Sequence, residues 1–438
     1  MTTSSDLQMA MDRLFARHTL GIKLGLESAR ALLDALGSPE ASLRIVHVAG
    51  TNGKGSVCAI MDAILQAGGL RVGRTTSPHL CRFNERFYVD GVEIADESLA
   101  ALMGEVESAA EGLHQAGGQD PTFFECATAI AFLHFQRSLV DWAIIETGLG
   151  GRLDATNVVM PLVSVITRIG IDHAHLLGDD LATIAEEKCG IIKAGRPVIC
   201  GDMPEEAEAV VRRIAQARGS AFLLARDMVS LHVSTRDLKG QKVKVETASG
   251  RSFSARFPLL GDHQLENLAT ALAALEALCM AGAIDLEDPD IATGIAATFW
   301  PGRFDCLQES PPLVVDGAHN PEGARALSRT LKQVFRKQPV GLIVGMCGDK
   351  DLAGTLAHFS GVVTRAWIVP LQNPRSAEPA SLRAAMPHSI RDVRVTSLPR
   401  ACEEALAWAG EVGGAVCVAG SLFLVGEMLA LRERESGD

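Results

Sequence analysis

A chain of 438 residues, 47% of them hydrophobic, is long enough for more than one packed core, and its composition excludes a disordered protein. The formal net charge of −12 supplies no global positive field, which argues against nucleic acid as a partner, so anionic small ligands must be met by local cations and a metal. Ten cysteines without a C-x-x-C pair, and no charged-then-apolar leader before Leu7, predict reduced thiols in a cytoplasmic protein and not a disulfide framework or a secreted one. The most apolar stretches, residues 271–284 and 415–431, are interrupted by Glu276 and Glu427 and fall short of a membrane span.

In chain order, the first strong signal is an apolar strand over residues 44–48 running into Gly50-Thr51-Asn52-Gly53-Lys54-Gly55-Ser56 and then a helical stretch, residues 57–66. Three glycines let the backbone turn tightly and present N–H groups to an anion. The following helix N-terminus adds a partial positive charge and Lys54 a full one. A nucleoside triphosphate is the natural ligand. The spacing departs from G-x-x-x-x-G-K-[ST], because two residues separate Gly50 from Gly53 and Gly55 follows Lys54, delaying the hydroxyl to Ser56.

Further short strands are predicted over residues 142–146, 162–167 and 197–200, with helices over 122–137 and 181–188. This alternation predicts an α/β protein with a mostly parallel sheet covered on both faces. Residues 228–257 differ. Alternating Val-Lys-Val-Glu-Thr between Lys239-Gly240 and Ser249-Gly250 turns predicts a small set of antiparallel strands appended to that sheet. A helix over 263–279 follows, Phe299 to Phe304 breaks the pattern with Pro301 and Gly302, and strands restart at 313–315, 341–344, 366–369 and 415–418. The expected organisation is a first domain over 1–298, a linker over 299–304 and a second, Rossmann-like α/β domain over 305–438.

Candidate chemistry gathers at strand ends, where open α/β sheets bind ligands. Glu146 ends a strand beside the Gly148 to Gly151 turn and reads as a magnesium ligand or, by itself, as a carboxylate capping a turn. Asp172 and His173 follow the strand at 162–167, and a histidine there is either a ligand or a structural residue.

Four motifs in this order, Gly50 to Ser56, Thr76-Ser77-Pro78-His79-Leu80, Glu146 to Asn157, and Asp316-Gly317-Ala318-His319-Asn320-Pro321, resemble the folylpolyglutamate synthase and dihydrofolate synthase family of Mur-type ligases over nearly the whole chain. Other Mur-type ligases carry a hydroxyl directly after the loop lysine, whereas Lys54-Gly55-Ser56 is similar to the folate branch. The resemblance implies a Mur-ligase-like first domain and ATP-dependent ligation of L-glutamate to dihydropteroate and to reduced folates. A carboxylate takes the γ-phosphoryl group and the glutamate amine then displaces phosphate. A folylpolyglutamate synthase alone, or a muramyl amino acid ligase, is the alternative. The latter would need a UDP-binding domain, and few residues precede the strand at Arg44. A nucleotide-binding switch without ligase activity accounts for the loop but not for Asp316 to Pro321.

By position, the resemblance implies Ser77, Glu146 and His173 as magnesium ligands, and Lys188 as a lysine open to carbamylation by CO₂, against the plainer reading of a solvated helix lysine. It implies Lys54 and the rest of the loop (Gly50, Thr51, Asn52, Gly53, Gly55, Ser56), with Asn267, Arg303 and Asp316, as ATP contacts. His319 is a γ-phosphate contact or a turn-packing residue. The pterin or folate site would use Ile22, Lys23 and Leu24, Arg82, Thr122, Phe123, Phe124 and Glu125, and Leu153, Asp154 and Ala155. Phe124 could stack on a flat heterocycle and Asp154 pair with its N–H groups, or they could be a core ring and a turn-holding carboxylate. Glutamate is expected near His319 and Ser421. ATP, Mg²⁺ and a second, monovalent cation are the expected cofactors, and the expected state is a monomer without nucleic acid or membrane partners.

Overall fold

The computed structural model of the chain describes residues 4–17, 25–172 and 174–437. Ile22, Lys23, Leu24 and His173 lie outside the described residues. Two compact units emerge: Met1–Leu231 with Val245–Phe253 and Glu266–Thr298, and His232–Lys244 with Ser254–Leu265 and Phe299–Asp438. Among the described residues, no helix is long and apolar enough to cross a membrane.

The first unit is built on an eight-stranded sheet in the order Val92–Glu93, Phe87–Val89, Val72–Thr75, Trp142–Glu146, Ile45–Ala49, Val163–Ile166, Val198–Cys200, Phe222–Leu224. From Val72–Thr75 onward the pairing is parallel, and the two strands at the other edge are antiparallel. Ile45–Ala49 and Trp142–Glu146 are buried at every position, the pattern of strands covered on both faces. On one face Ile45, Ala143 and Ile145 join the core of helices Phe123–Arg137 and Asp96–Gln115. Their alternates Val46, Val48 and Ile144, equally buried, point to the other face. Helix Lys54–Ala67 is buried around most of its girth, and helix Asp288–Ala297 packs on it so closely that a side chain at Gly294 would collide with Ile64.

The second unit carries a six-stranded sheet in the order Asp305–Glu309, Pro312–Val315, Ala415–Ala419, Val340–Val344, Val363–Ile368, Asp392–Val395. Only the Asp305–Glu309 edge is antiparallel. Leu327 and Leu331 of helix Pro321–Phe335 share a core with Val314, Leu342, Val344 and Ala366.

Residues 228–257 do form strands, Val229–Asp237, Gly240–Thr247 and Ser252–Phe257, joined by connections short enough for antiparallel hairpins. The expectation that they are appended to the parallel sheet is overturned, because they hydrogen-bond as a separate three-stranded sheet. The alternation explains why. Val243, Val245 and Phe257 are buried while most of Val229–Asp237 is exposed, so these strands have one face to bury, whereas a position in the parallel sheet requires two.

Candidate active site

The strand Ile45–Ala49 delivers Gly50 to the carboxyl edge of the first sheet, and the loop is then laid along the segment that leaves the neighbouring strand Val163–Ile166. Thr51 and Asn52 N–H groups donate to the Arg168 carbonyl at 2.9 and 3.3 Å. The Thr51 hydroxyl donates to the Gly170 carbonyl at 2.9 Å and accepts the Gly170 N–H at 3.1 Å, while Thr167 Oγ1 donates to the Asn52 carbonyl at 2.8 Å. These bonds fix the loop against the segment that carries Asp172. Gly53 has φ +89°, and a Cβ there would strike Asn267 Oδ1, so a glycine is required both for the backbone and for the approach of Asn267. Helix Lys54–Ala67 starts immediately after it, with Lys54 and Gly55 in its first turn and Ser56 buried.

Glu146 stands opposite Val48 in register, 5% exposed. Its Oε1 lies 3.8 Å from Lys54 Nζ, and its Oε2 accepts the Ser77 N–H at 3.1 Å. Three residues distant in sequence thus meet at one carboxylate. Lys188 ends helix Leu181–Lys188, which Asp180 caps through the Thr183 N–H at 2.8 Å. Its ammonium reaches back to donate to the Gly50 carbonyl at 2.8 Å. The side chain is 4% exposed, so the reading of a solvated helix lysine is overturned: the following turn Cys189–Ile191 is wholly buried and carries Lys188 inward with it. Burial, and then the charge of Lys54, lower its pKa to about 7.

The donors at Glu146 fit magnesium, which takes oxygen ligands, accepts one or two protein side chains and leaves the remainder to phosphate and water. The buried Glu146 carboxylate at the strand end is such an oxygen donor, and the Ser77 N–H on its Oε2 orients it without being a ligand itself.

The residues expected to hold the pterin are brought to the same sheet, with local duties. Thr122 caps helix Phe123–Arg137. Its Oγ1 accepts the Glu125 N–H at 3.3 Å, and the Glu125 carboxylate accepts the Thr122 N–H at 2.6 Å. Phe123, 6% exposed, lies in an aromatic group with Phe15 at 5.2 Å and Phe83 at 5.7 Å between ring centroids. Phe124 is half-buried, its ring against Gly148, where a Cβ would collide with it. Asp154 Oδ1 accepts the Thr156 N–H at 3.0 Å and the Thr156 hydroxyl at 2.5 Å, and Oδ2 accepts the Leu149 N–H at 2.8 Å. It is the turn-holding carboxylate of the Gly-rich segment, and burial raises its pKa. Ala155 is buried and Leu153 half-buried in the same turn. Arg82 is exposed and pairs with Asp96 at 2.7 Å and Glu93 at 4.0 Å.

In the second unit, Asp316 leaves the strand Pro312–Val315 and accepts the Phe304 and Ala318 N–H groups, each at 2.9 Å. Burial raises its pKa and the charge of Arg303 opposes that rise. Arg303 packs on Gly317, where a Cβ would meet its guanidinium. His319 Nδ1 donates to the Gly317 carbonyl at 2.8 Å, so that nitrogen serves the turn. Ser421, 4% exposed, accepts the Phe423 N–H at 3.1 Å.

Residues 48–275 match the Mur ligase middle domain and residues 302–422 the Mur ligase glutamate ligase domain. Over 371 residues, 84% of this chain and 86% of the relative, the sequence is 37% identical to the Bacillus subtilis (strain 168) dihydrofolate synthase/folylpolyglutamate synthase. The chain belongs to the Mur ligase family, in its dihydrofolate synthase/folylpolyglutamate synthase branch. It is an ATP-dependent ligase of that family. Two solved structures match it over 98% of both chains. A Mycobacterium tuberculosis folylpolyglutamate synthase complexed with ADP and AMPPCP has a TM-score of 0.89 and 32% identity. Escherichia coli FolC in complex with DHPP and ADP has a TM-score of 0.87 and 34% identity.

Motif reading in this Mur ligase omits several residues that shape the site. Thr167 and Arg168 secure the Gly50 to Ser56 loop, and their signal lies in the sequence as the last residue of the strand predicted over 162–167 and the residue directly after it. His47 carries no such signal: it sits inside an apolar strand, and its Nε2 is 2.8 Å from Thr156 Oγ1, which in turn donates to Asp154. Arg86 is likewise invisible until the chain folds, as a buried guanidinium that donates to His79 Nδ1 at 2.9 Å.

Proposed function

We propose that the chain joins L-glutamate to dihydropteroate, forming dihydrofolate, and to reduced folates, extending their polyglutamate tails, with ATP converted to ADP and phosphate through an acyl phosphate. The observation that carries this reading is the meeting of Lys54, the Ser77 backbone and the Glu146 carboxylate at the mouth of the Gly50 to Ser56 loop. A carboxylate is too poor an electrophile to accept an amine directly, so the γ-phosphoryl group must first be moved onto it. That transfer needs positioning and charge neutralisation more than it needs a protein nucleophile.

In this reading the N–H groups of the loop and the first turn of helix Lys54–Ala67 bind the phosphates, and Lys54 draws charge from the transferring group. Glu146 and Ser77, with His173, would hold Mg²⁺, which would supply further neutralisation of phosphate charge. Lys188, with a pKa of about 7, carries a neutral amine fraction at physiological pH that can react with CO₂, and its carbamate would add an anion to the metal's surroundings. Asn267, Arg303 and Asp316 serve the nucleotide and His319 the γ-phosphate. Ile22, Lys23, Leu24, Arg82, residues 122–125 and residues 153–155 serve the pterin. A monovalent cation is a second ion of the site. Residues 1–298 form the ATP and pterin domain, 299–304 the linker and 305–438 the domain that completes the ATP and glutamate sites. The enzyme works as a cytoplasmic monomer on small-molecule substrates.

The relatives support both reactions: the Bacillus protein is named for the two, and the Escherichia structure contains DHPP. The name of the Mycobacterium structure keeps open a chain that acts on folates alone. ADP release measured with dihydropteroate, with tetrahydrofolate and with a UDP-muramyl acceptor, each plus L-glutamate, separates the readings. Turnover with the first two is expected, turnover with tetrahydrofolate alone selects the narrower enzyme, and turnover with none of the three overturns the ligase assignment.

A further inference from the structure

Between the paired strands Val72–Thr75 and Phe87–Val89 the chain makes an excursion over residues 76–86, closed by the Thr76 N–H on the Arg86 carbonyl at 3.3 Å. We propose that Arg86 is a positioning residue that holds the Ser77-Pro78-His79 segment against Glu146, and so sets the metal and phosphate geometry of the site. The proposal rests on the ligase reading of that site.

Two consecutive residues at the end of the excursion grip successive stretches of it. The Glu85 carboxylate accepts the Leu80, Cys81 and Arg82 N–H groups at 2.6, 2.8 and 2.6 Å. Arg86 takes the stretch before them, donating from Nε to His79 Nδ1 at 2.9 Å. With residues 79–82 tied down, the next group along is the Ser77 N–H, which meets Glu146 Oε2 at 3.1 Å. The excursion is therefore tied internally, and it meets Glu146 through the Ser77 N–H and through the charge of Arg86.

The chemistry of Arg86 is not that of a packing residue. Its guanidinium is 8% exposed and lies over the rings of Phe83 and Phe123, 5.5 and 5.4 Å from their centroids. An apolar side chain would fill that space without the desolvation that a buried cation incurs. Its hydrogen bond goes to the His79 imidazole while the charges of Glu146 and Glu85 favour the guanidinium, so charge by itself does not account for the bond to His79. A planar, rigid donor explains it, because the rings fix the plane of the guanidinium and the plane then fixes His79. His79 in turn stands edge-on to Phe83, with ring centroids 5.9 Å apart and planes at 85°. Phe123 belongs to the segment proposed for the pterin, so one guanidinium touches both the metal-side loop and the pterin-side helix.

The test compares Arg86→Gln, Arg86→Lys and His79→Ala with the wild-type chain, reading kcat, the KM for ATP, and Mn²⁺ affinity in the presence of ADP by electron paramagnetic resonance. Residues that orient a metal site without touching the ion change affinity or activity by about 10- to 100-fold, and losses in that range are expected in Mn²⁺ affinity and kcat for Arg86→Gln, with the KM for ATP held within about threefold. Arg86→Lys should recover only part of the loss, because a lysine keeps the charge and loses the plane. Should the buried Arg86→Gln variant fail to fold, His79→Ala, at a half-buried position, carries the test with the same readouts. Acting through one contact, the Arg86 and His79 losses should not multiply in the double variant. Wild-type Mn²⁺ affinity and kcat in the singles, or a lowered melting temperature alone, would overturn the proposal. A wild-type chain that neither binds Mn²⁺ with ADP nor releases ADP would instead overturn the ligase reading beneath it.

Discussion

Two buried carboxylates on the first sheet's carboxyl side, Glu146 and Asp154, are eight positions apart in sequence and do opposite work. Glu146 meets groups from distant parts of the chain, with an ammonium 3.8 Å from one oxygen and the Ser77 backbone N–H on the other. Asp154 faces its own turn, both oxygens engaged by Leu149 and Thr156. The surroundings repeat the contrast. The phosphate-loop region gathers Lys54, Lys188 and Glu146 from distant parts of the chain, whereas the 122–155 region spends Thr122 and Glu125 on a helix cap and Asp154 on a loop. Burial alone does not mark a reactive group. What separates the two is whether the partners are local backbone or charges brought from elsewhere.

Perturbing the first region should therefore alter turnover, and perturbing the second should alter stability. The largest effect is expected from Lys54→Ala, which removes the loop's full charge: ADP release should fall by at least about 10³-fold, or about 4 kcal/mol in the barrier, with little change in melting temperature. Retained turnover would remove the phosphate-loop region from the mechanism. The next effect comes from acid. Burial lowers the His47 pKa to about 3, and among the described residues its Nδ1 has no partner to receive a proton's hydrogen bond. As pH falls below 6.5 the unfolded chain takes up a proton at His47 that the fold refuses until about pH 3. The stability His47 contributes is thus present above pH 6.5 and is lost between 6.5 and 3. Urea midpoints at pH 7 and pH 5 should converge for His47→Asn relative to wild type, and equal pH slopes in the two chains would contradict this.

Asp154→Asn sharpens the comparison further, because an amide must turn a donor toward one of the N–H groups that Asp154 now accepts. A loss of about 1–3 kcal/mol in unfolding free energy is expected. An unchanged melting temperature would overturn the turn-holding role and leave Asp154 with the proposed pterin contact alone, read as a raised KM for dihydropteroate. The smallest effect belongs to Thr122→Ala, where losing the cap of helix Phe123–Arg137 should lower stability by about 1 kcal/mol, measured by chemical denaturation at neutral pH. A loss of activity without that loss of stability would show that the capping box is not its main task.

Apart from the alternating strands of residues 229–257, the strands that sequence predicts are those buried on both faces. Trp142–Glu146 was read at its full length, and Ile45–Ala49 within one residue at each end, because a continuous apolar run has few other fates. The strands that were missed, Val72–Thr75, Phe87–Val89, Val92–Glu93, Phe222–Leu224, Asp305–Glu309 and Asp392–Val395, are two to five residues long, and most lie at sheet edges or carry charges there. Edge strands need apolar surface on fewer sides and so carry a weaker pattern. The candidate site divides in the same way. Gly50 to Ser56 and the strand-end position of Glu146 were legible because close backbone approach and a terminal carboxylate leave a local mark. The turn-holding duty of Asp154 was one of two local readings, and Thr122-x-x-Glu125 has the spacing of a capping box, whereas the burial of Lys188 and the pairing of Arg86 with His79 left no such mark.

Sequence by itself determined the phosphate loop, the alternation of strand and helix, and the resemblance to a folate-type ligase, since each depends on residues within a few positions of one another. Tertiary structure decided the rest: that the hairpin strands form their own sheet, that Lys188 turns inward to Gly50, and that Ser77 and Lys54 meet at Glu146. Those outcomes depend on which groups lose water together, and that is settled by the packing of segments far apart in the chain.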